Sequence, residues 1–340
     1  MKKVITFGEL LLRLSTERHL RLSQANSFLA TFGGSEFNVA VSLANFGINC
    51  EFVTKIPTNE LGERSLEEIR RKNVNTNYVI KGGKRLGVYF LETGASSRAS
   101  NVLYDREDSS FANITLEDIE WNEVFNDADW FHWSGITPAI SNNTALICLK
   151  ALKEAKKRNI TISCDLNYRS KMWKYGKEPQ EVMPALLKYT DIVLGDIDTA
   201  CLMIGQPKLN PDYNNLSKLP ALYEEMLSKF PNIQTMATTL RYSVNASHQK
   251  IGGIIYNRKE IFKATLREVI PVVDRVGSGD AFMAGLIFGL LRDEKNYQYS
   301  IDFAAASCCL KHSISGDYNL VNIKEVEGLI KGSGAALVAR

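Results

Sequence analysis

Three observations predict a three-layer α/β fold with a mostly parallel central sheet and a small β lid. Short β-rich runs alternate with longer amphipathic runs through most of the 340 residues. Several strand runs are apolar throughout, as strands covered on both faces of a parallel sheet must be. Two stretches, 10–31 and roughly 84–110, instead carry alternating segments such as Leu86-Gly87-Val88-Tyr89-Phe90-Leu91-Glu92 and Val102-Leu103-Tyr104, the pattern of antiparallel strands leaving the main sheet.

Taken in order, 4–8 reads as the first strand, 38–46 as a helix, 50–55 as a strand and 61–72 as a helix. Further strands are expected at 130–133, 160–165, 192–194 and 234–239, with helices between them. The run Val269-Ile270-Pro271-Val272-Val273 reads as a strand or buried extended segment. After it, Phe282, Ala284, Leu286, Ile287, Leu290 and Leu291 recur at helical spacing. The length suits one domain, 1–340, with the two irregular stretches forming a lid over the carboxyl ends of the parallel strands. That is where open α/β sheets bind ligands.

Hydrophobic residues at 45% and charged residues at 23% are ordinary for a globular protein. A net charge of +3 without a basic block points to neither nucleic acid nor membrane. The six cysteines, Cys50, Cys148, Cys164, Cys201, Cys308 and Cys309, show no zinc or disulfide spacing, so they are expected to be buried thiols in a reducing compartment. The first residues carry too short an apolar stretch for a signal peptide, and a cytoplasmic protein is expected. The tryptophans Trp121, Trp130, Trp133 and Trp173 are expected in the core.

The string Asp274-Arg275-Val276-Gly277-Ser278-Gly279-Asp280 places two glycines and an acid where an extended segment hands over to a helix. Free backbone N–H groups and the helix dipole favour a phosphate oxygen there. Asp280 could take a proton from a hydroxyl at the same spot. On spacing alone, a tight turn with a capping acid explains the string equally well. A Walker loop is excluded because Gly-Lys-Ser/Thr is absent, and a dinucleotide fingerprint because Phe282 stands where a third glycine is needed. A second cluster, Gly33-Gly34-Ser35-Glu36-Phe37-Asn38, also precedes a helix. Its bare glycines could admit a ligand's hydroxyls and Asn38 could both donate and accept, although such a turn is more often structural.

Together, Gly33-Gly34-x-x-x-Asn38-Val39-Ala40 and Asp274-x-x-Gly277-x-Gly279-Asp280-Ala281-Phe282 resemble the paired signatures of the PfkB, or ribokinase-like, carbohydrate kinases, over nearly the whole chain. The resemblance implies the ribokinase-like α/β/α sandwich and transfer of the ATP γ-phosphate to a sugar hydroxyl. It makes Asp280 the general base and the N–H groups of Gly277, Ser278 and Gly279 the anion hole. The segments between resemble the branch acting on 2-keto-3-deoxygluconate, through Tyr89, Tyr104-Asp105-Arg106, Asp165-Leu166-Asn167-Tyr168-Arg169, Thr239-Leu240-Arg241 and the loop 311–319. By that resemblance Arg106 and Arg169 hold the acceptor's carboxylate, which suits the arginine fork, and Tyr89 and Tyr104 contact its carbon chain. Asp165 and Asn167 are expected to orient the strand end or a metal-bound water.

Where many members carry Asn-x-x-Glu for magnesium, this chain has Asp196-Ile197-Asp198-Thr199, so Asp196 and Asp198 are the candidate Mg2+ residues, through water. Both could equally cap a helix. Thr239 stands in the family's Thr-Leu-Gly nucleotide turn, but Arg241 replaces its glycine and is expected to reach the ATP phosphates instead. The segment from His312 to Asn319 is expected beside the adenine. A monovalent cation is left open, as is the choice between gluconate and galactonate epimers. A fructokinase-like acceptor, or a sugar-acid-binding regulator without turnover, remains as an alternative. The lid's strand edges predict a homo-oligomer.

Overall fold

The computed structural model describes residues 2–332; Met1 and 333–340, both inside the expected single domain, lie outside the described residues. The central sheet has ten strands. Its spatial order is Ile261–Lys263, His248–Tyr256, Thr235–Asn245, Ile192–Leu194, Thr161–Asp165, Trp130–Ser134, Lys3–Phe7, Asn49–Ile56 and Val79–Lys81, with Arg267–Val269 paired to His248–Tyr256 off this path. From Thr235–Asn245 to Val79–Lys81 every neighbouring pair is parallel, and the pairs formed by His248–Tyr256 are antiparallel.

The apolar strand runs are explained by cores on both faces. Along Ile192–Leu194, Ile192 and Leu194 enter one core and Val193 the other, because successive side chains point to opposite faces. One core gathers Phe37, Phe282, Phe288 and Phe303 from the helices Ser35–Asn45, Ser278–Arg292 and Tyr297–Lys311. The other gathers Ile147, Leu152, Met183 and Tyr223 from Asn142–Lys157, Pro179–Leu187 and Leu219–Leu227. Each such fully buried apolar side chain contributes about 1.5–3 kcal/mol, enough in sum to offset the entropy of ordering the layers. All six cysteines are buried free thiols, and Trp121, Trp130 and Trp133 are core residues; Trp173 is half-buried. No described helix is long and apolar enough to cross a membrane.

Two expectations are corrected at the far edge of the sheet. The strand expected at 234–239 continues to Asn245, because it gains an antiparallel partner in His248–Tyr256. Thr239-Leu240-Arg241 therefore lies within a strand and forms no turn. Of the run 269–273, only Val269 belongs to a strand, and Ile270 and Val273 are 63% and 49% exposed. Pro271 has no N–H to continue a ladder, so the chain leaves the sheet there.

A separate four-stranded sheet has the order Leu29–Gly33, Leu11–Ser15, Gly87–Glu92, Asn101–Asp105. Its outer pairs are antiparallel, but its central pair, Leu11–Ser15 with Gly87–Glu92, is parallel, contrary to the expected antiparallel excursion. The main sheet intervenes in sequence between these two strands, so they meet as a crossover and no hairpin joins them. The strand Gly87–Glu92 alternates buried and half-buried residues, and Leu11, Tyr89 and Leu91 form the inner face.

Candidate active site

Between the two sheets lies a cleft of about 970 Å3, lined from below by the carboxyl ends of the parallel strands, at Glu9, Asp165 and Leu194, and from above by Leu11, Tyr89 and Tyr104. The entry to the helix Ser278–Arg292 forms one wall. Gly277 caps it with φ 79°, and a Cβ there would collide with the carbonyl oxygen of Asp317, so this turn requires glycine. Gly34 caps the helix Ser35–Asn45 with φ 147°, against the Glu9 carbonyl. Gly33 does not line the cleft: it ends a strand and is packed against the Asp317 carboxylate.

Asp280, in the first turn of its helix, receives a hydrogen bond on each oxygen. Ser35 Oγ donates to Oδ1 at 2.8 Å and Asn38 Nδ2 donates to Oδ2 at 2.7 Å. Burial raises the Asp280 pKa above the usual carboxylate range, and the donors Asn38 and Ser35 partly restrain it. The result is a carboxylate of fixed orientation and increased basicity beside a helix N-terminus. Asn167 Nδ2 donates to Ser35 Oγ at 3.0 Å, so the strand end orients Asp280 through Ser35. Asp165 accepts from the Asn167 N–H at 3.0 Å, and burial followed by repulsion from Asp280 pushes its pKa up to about 7.

The acceptor side contains surprises. Arg106 is buried, with Nε and Nη2 each 2.6 Å from Glu9 Oε2, and Ser109 Oγ donates to Glu9 Oε1 at 2.5 Å. Its guanidinium is committed to Glu9. Tyr89 is likewise engaged: its hydroxyl donates to Asp317, 2.6 Å from Oδ2. Tyr104 lines the cleft beside the Tyr89 ring, with centroids 6.3 Å apart. Arg169 is exposed in the cleft, and the one hydrogen bond of its side chain among the described residues is from Nη1 to the Tyr168 carbonyl at 3.2 Å. It forms no ion pair there, although its charge favours the ionised forms of Asp165 and Asp280.

Sequence reasoning passed over Arg13 entirely. From the lid strand Leu11–Ser15 it reaches Asp317 with Nη1 at 2.7 Å and Asp274 with Nη2 at 2.6 Å, tying the small sheet to the turn before Gly277. A buried arginine in a strand of alternating burial was the available signal, because an isolated buried cation demands acids. Lys311, wholly buried, donates to the carbonyls of Asp274, Ile314 and Gly316 at 3.2, 2.9 and 2.5 Å and holds the same turn from behind.

On the nucleotide side, Thr239 and Arg241 line the cleft, and Arg241 Nη2 donates to Ser278 Oγ at 2.9 Å. His312 and Asn319 do not line it. His312 is fully buried with Nδ1 2.7 Å from the Cys308 carbonyl, and burial lowers its pKa to about 4. Asn319 is buried with its backbone carbonyl accepting from Asn45 Nδ2. Asp196 lines the cleft and caps the helix Ile197–Met203, accepting from Thr199 N at 2.9 Å and Thr199 Oγ1 at 2.5 Å. Asp198 points elsewhere, accepting from the N–H groups of Leu209 and Asn210. No group of three or more His, Cys, Asp or Glu suited to a metal occurs among the described residues.

Residues 1–322 match the pfkB family of carbohydrate kinases. The chain is 29% identical over 338 residues to the 2-dehydro-3-deoxygalactonokinase of Haloferax volcanii, with 98% of each chain covered. It resembles the crystal structure of 2-dehydro-3-deoxygluconokinase from Thermotoga maritima with a TM-score of 0.91 and 39% identity, over 97% of this chain and 98% of that one. The sugar kinase from Pyrococcus horikoshii solved with ATP shares the fold at a TM-score of 0.74 and 23% identity, over 95% and 96% of the two chains.

Proposed function

We propose, from the premise that this chain belongs to the pfkB family of carbohydrate kinases, that it phosphorylates the C6 hydroxyl of 2-keto-3-deoxy-D-gluconate with ATP, giving 2-keto-3-deoxy-6-phosphogluconate and ADP. The observation that carries this reading is the presence, in one cleft, of the oriented Asp280 carboxylate and of Arg169, a cation that forms no ion pair among the described residues. A sugar acid supplies both the hydroxyl for one and the carboxylate for the other.

Asp280 takes the C6 proton as the hydroxyl oxygen bonds to the γ-phosphorus and the bond to the β-phosphate oxygen of ADP breaks. The N–H groups of Gly277, Ser278 and Gly279, with the helix dipole, receive the charge on the phosphoryl oxygens. Gly34 and Asn38 border the acceptor, and Tyr104 packs along its chain. Gly33 and Tyr89 support that pocket through Asp317, and Arg106, held in orientation by Glu9, borders it. Thr239 and Arg241 border the nucleotide. When bound, Mg2+ would neutralise ATP phosphate charge, with Asp196 reaching it through water.

The chain folds as a single kinase domain whose small sheet acts as a lid, excluding water that competes for the phosphoryl group. That sheet also pairs two copies: its edge strands expose Leu29 at 57% and Leu103 at 55%. Buried free thiols suit the cytoplasm. ADP release by the purified protein tests the reading: it should be at least about tenfold faster in kcat/KM with keto-deoxygluconate than with fructose or ribose, and equal rates overturn the acceptor. The galactonate epimer, measured beside it, decides the preference at C4.

A further inference from the structure

Arg275 stands outside every contact described so far. It follows Asp274 and precedes the turn Val276-Gly277, lines the cleft half-buried, and accepts from Ser278 N through its carbonyl, while its side chain has neither a hydrogen bond nor an ion pair among the described residues. Its neighbour Asp274 favours its charge but forms no ion pair with it. The Asp274 carboxylate is already occupied by Arg13 and by the N–H groups of Gly316 and Val276. The nearby cation makes matters worse: burial, then repulsion from Arg241, destabilises the charged form of Arg275. Arg241 itself meets the Ser278 hydroxyl, at 2.9 Å, and the buried Cys308 thiol, neither of them an anion. Two guanidinium groups therefore lie beside the first residues of the helix Ser278–Arg292, and neither forms an ion pair among the described residues. Like charges gathered in a half-enclosed site are costly unless an anion joins them.

Among the described residues, no acid of the cleft forms an ion pair with Arg275 or Arg241. Asp280 is held by Ser35 and Asn38, and Asp317 by Arg13 and Tyr89. The remaining candidates are brought by ligands, and the position selects among them. Arg275 sits on the turn that presents the anion hole, whereas Arg169, from the segment after Thr161–Asp165, is the cation left free for the acceptor's carboxylate. We propose that Arg275, together with Arg241, clamps the transferred phosphoryl group of ATP, with Arg275 a catalytic residue that binds the γ-phosphate in preference to the α- and β-phosphates. This rests on the kinase reading of the cleft but not on the identity of the acceptor. A planar fork that grips equatorial phosphoryl oxygens becomes more effective as they gain charge, so its contribution is larger in the transition state than in the ground state.

The test compares wild type with Arg275→Met and Arg275→Lys, each first checked for an unchanged thermal midpoint. Calorimetric titration with Mg-ADP should give affinities within about twofold of wild type, while the non-hydrolysable analogue AMP-PNP should bind Arg275→Met about tenfold more weakly. With acceptor, kcat should fall by about a hundredfold or more in Arg275→Met and less in Arg275→Lys, with the acceptor KM within about twofold. Equal losses for ADP and AMP-PNP, unchanged kcat, or a loss confined to the acceptor KM each overturn the proposal, the last by assigning Arg275 to the sugar acid. The nucleotide titrations need no acceptor. A wild-type protein that discriminates AMP-PNP from ADP through Arg275 but does not turn over keto-deoxygluconate would overturn only the acceptor assignment.

Discussion

The hydroxyl of Ser35 lies 2.8 Å from Asp280 Oδ1 and, at 3.0 Å, accepts a hydrogen bond from Asn167, so the proposed base is oriented from a strand end on the opposite side of the cleft. Ser35 opens one helix and Asp280 lies in the first turn of another, so the contact also sets the distance between two helix entrances.

Ser35→Ala removes a donor that favours the charged carboxylate, so the Asp280 pKa rises. The base acts when deprotonated, and the acidic limb of kcat/KM should therefore move to higher pH, by roughly one unit for one charge-assisted hydrogen bond. A pH profile with an unmoved acidic limb contradicts the role.

Asp280→Asn keeps the shape and both neighbours but cannot accept the C6 proton. Turnover should fall by roughly 10²–10⁴-fold, while Mg-ADP affinity changes little. Retention of most activity in a steady-state assay would remove Asp280 as the base.

Asp165 contributes a pH dependence of stability. Its folded pKa, pushed up to about 7, lies above the ordinary aspartate value, so the folded protein binds the extra proton and the unfolded chain does not. Stability from this group is full at low pH and is lost as pH rises from about 4 through 7. Thermal midpoints of Asp165→Asn, measured across that window, should decline less with pH than those of wild type.

Glu9 and Arg106 form a buried ion pair, and removing one partner strands the other charge. Glu9→Gln should cost about 3–5 kcal/mol in denaturant unfolding and raise the acceptor KM as Arg106 loses its orientation. A loss below about 1 kcal/mol would mean that water reaches the pair.

Lys311 places an ammonium among the three carbonyl oxygens of Asp274, Ile314 and Gly316, a setting that would otherwise suit a dehydrated monovalent cation. Replacing potassium with tetramethylammonium in the assay should change turnover by less than about twofold. A larger dependence would place a cation elsewhere in the cleft.

The sandwich was legible in the sequence because apolar runs and helical periodicity are local properties, and the strands at 192–194 and the helix after Gly277 follow from them directly. The two glycine clusters were also legible, since a left-handed residue and a helix entrance demand particular residue types wherever they occur. The long strand Thr235–Asn245 was not, because its second half is exposed and depends on a partner further along the chain.

What the sequence determined by itself was the fold, the family and the residue types of the cleft. Only the tertiary structure decided which of those residues are free. Arg106 and Arg169 look alike as letters, but one is ion-paired with Glu9, 97 residues away, and the other forms no ion pair among the described residues. Arg13 and Arg275 differ in the same way: Arg13 is ion-paired with Asp274 and Asp317, while Arg275 forms no ion pair among the described residues. A charge is available for a ligand only after the distant acids have been assigned. That assignment depends on burial and distance in three dimensions, which spacing along the chain does not contain.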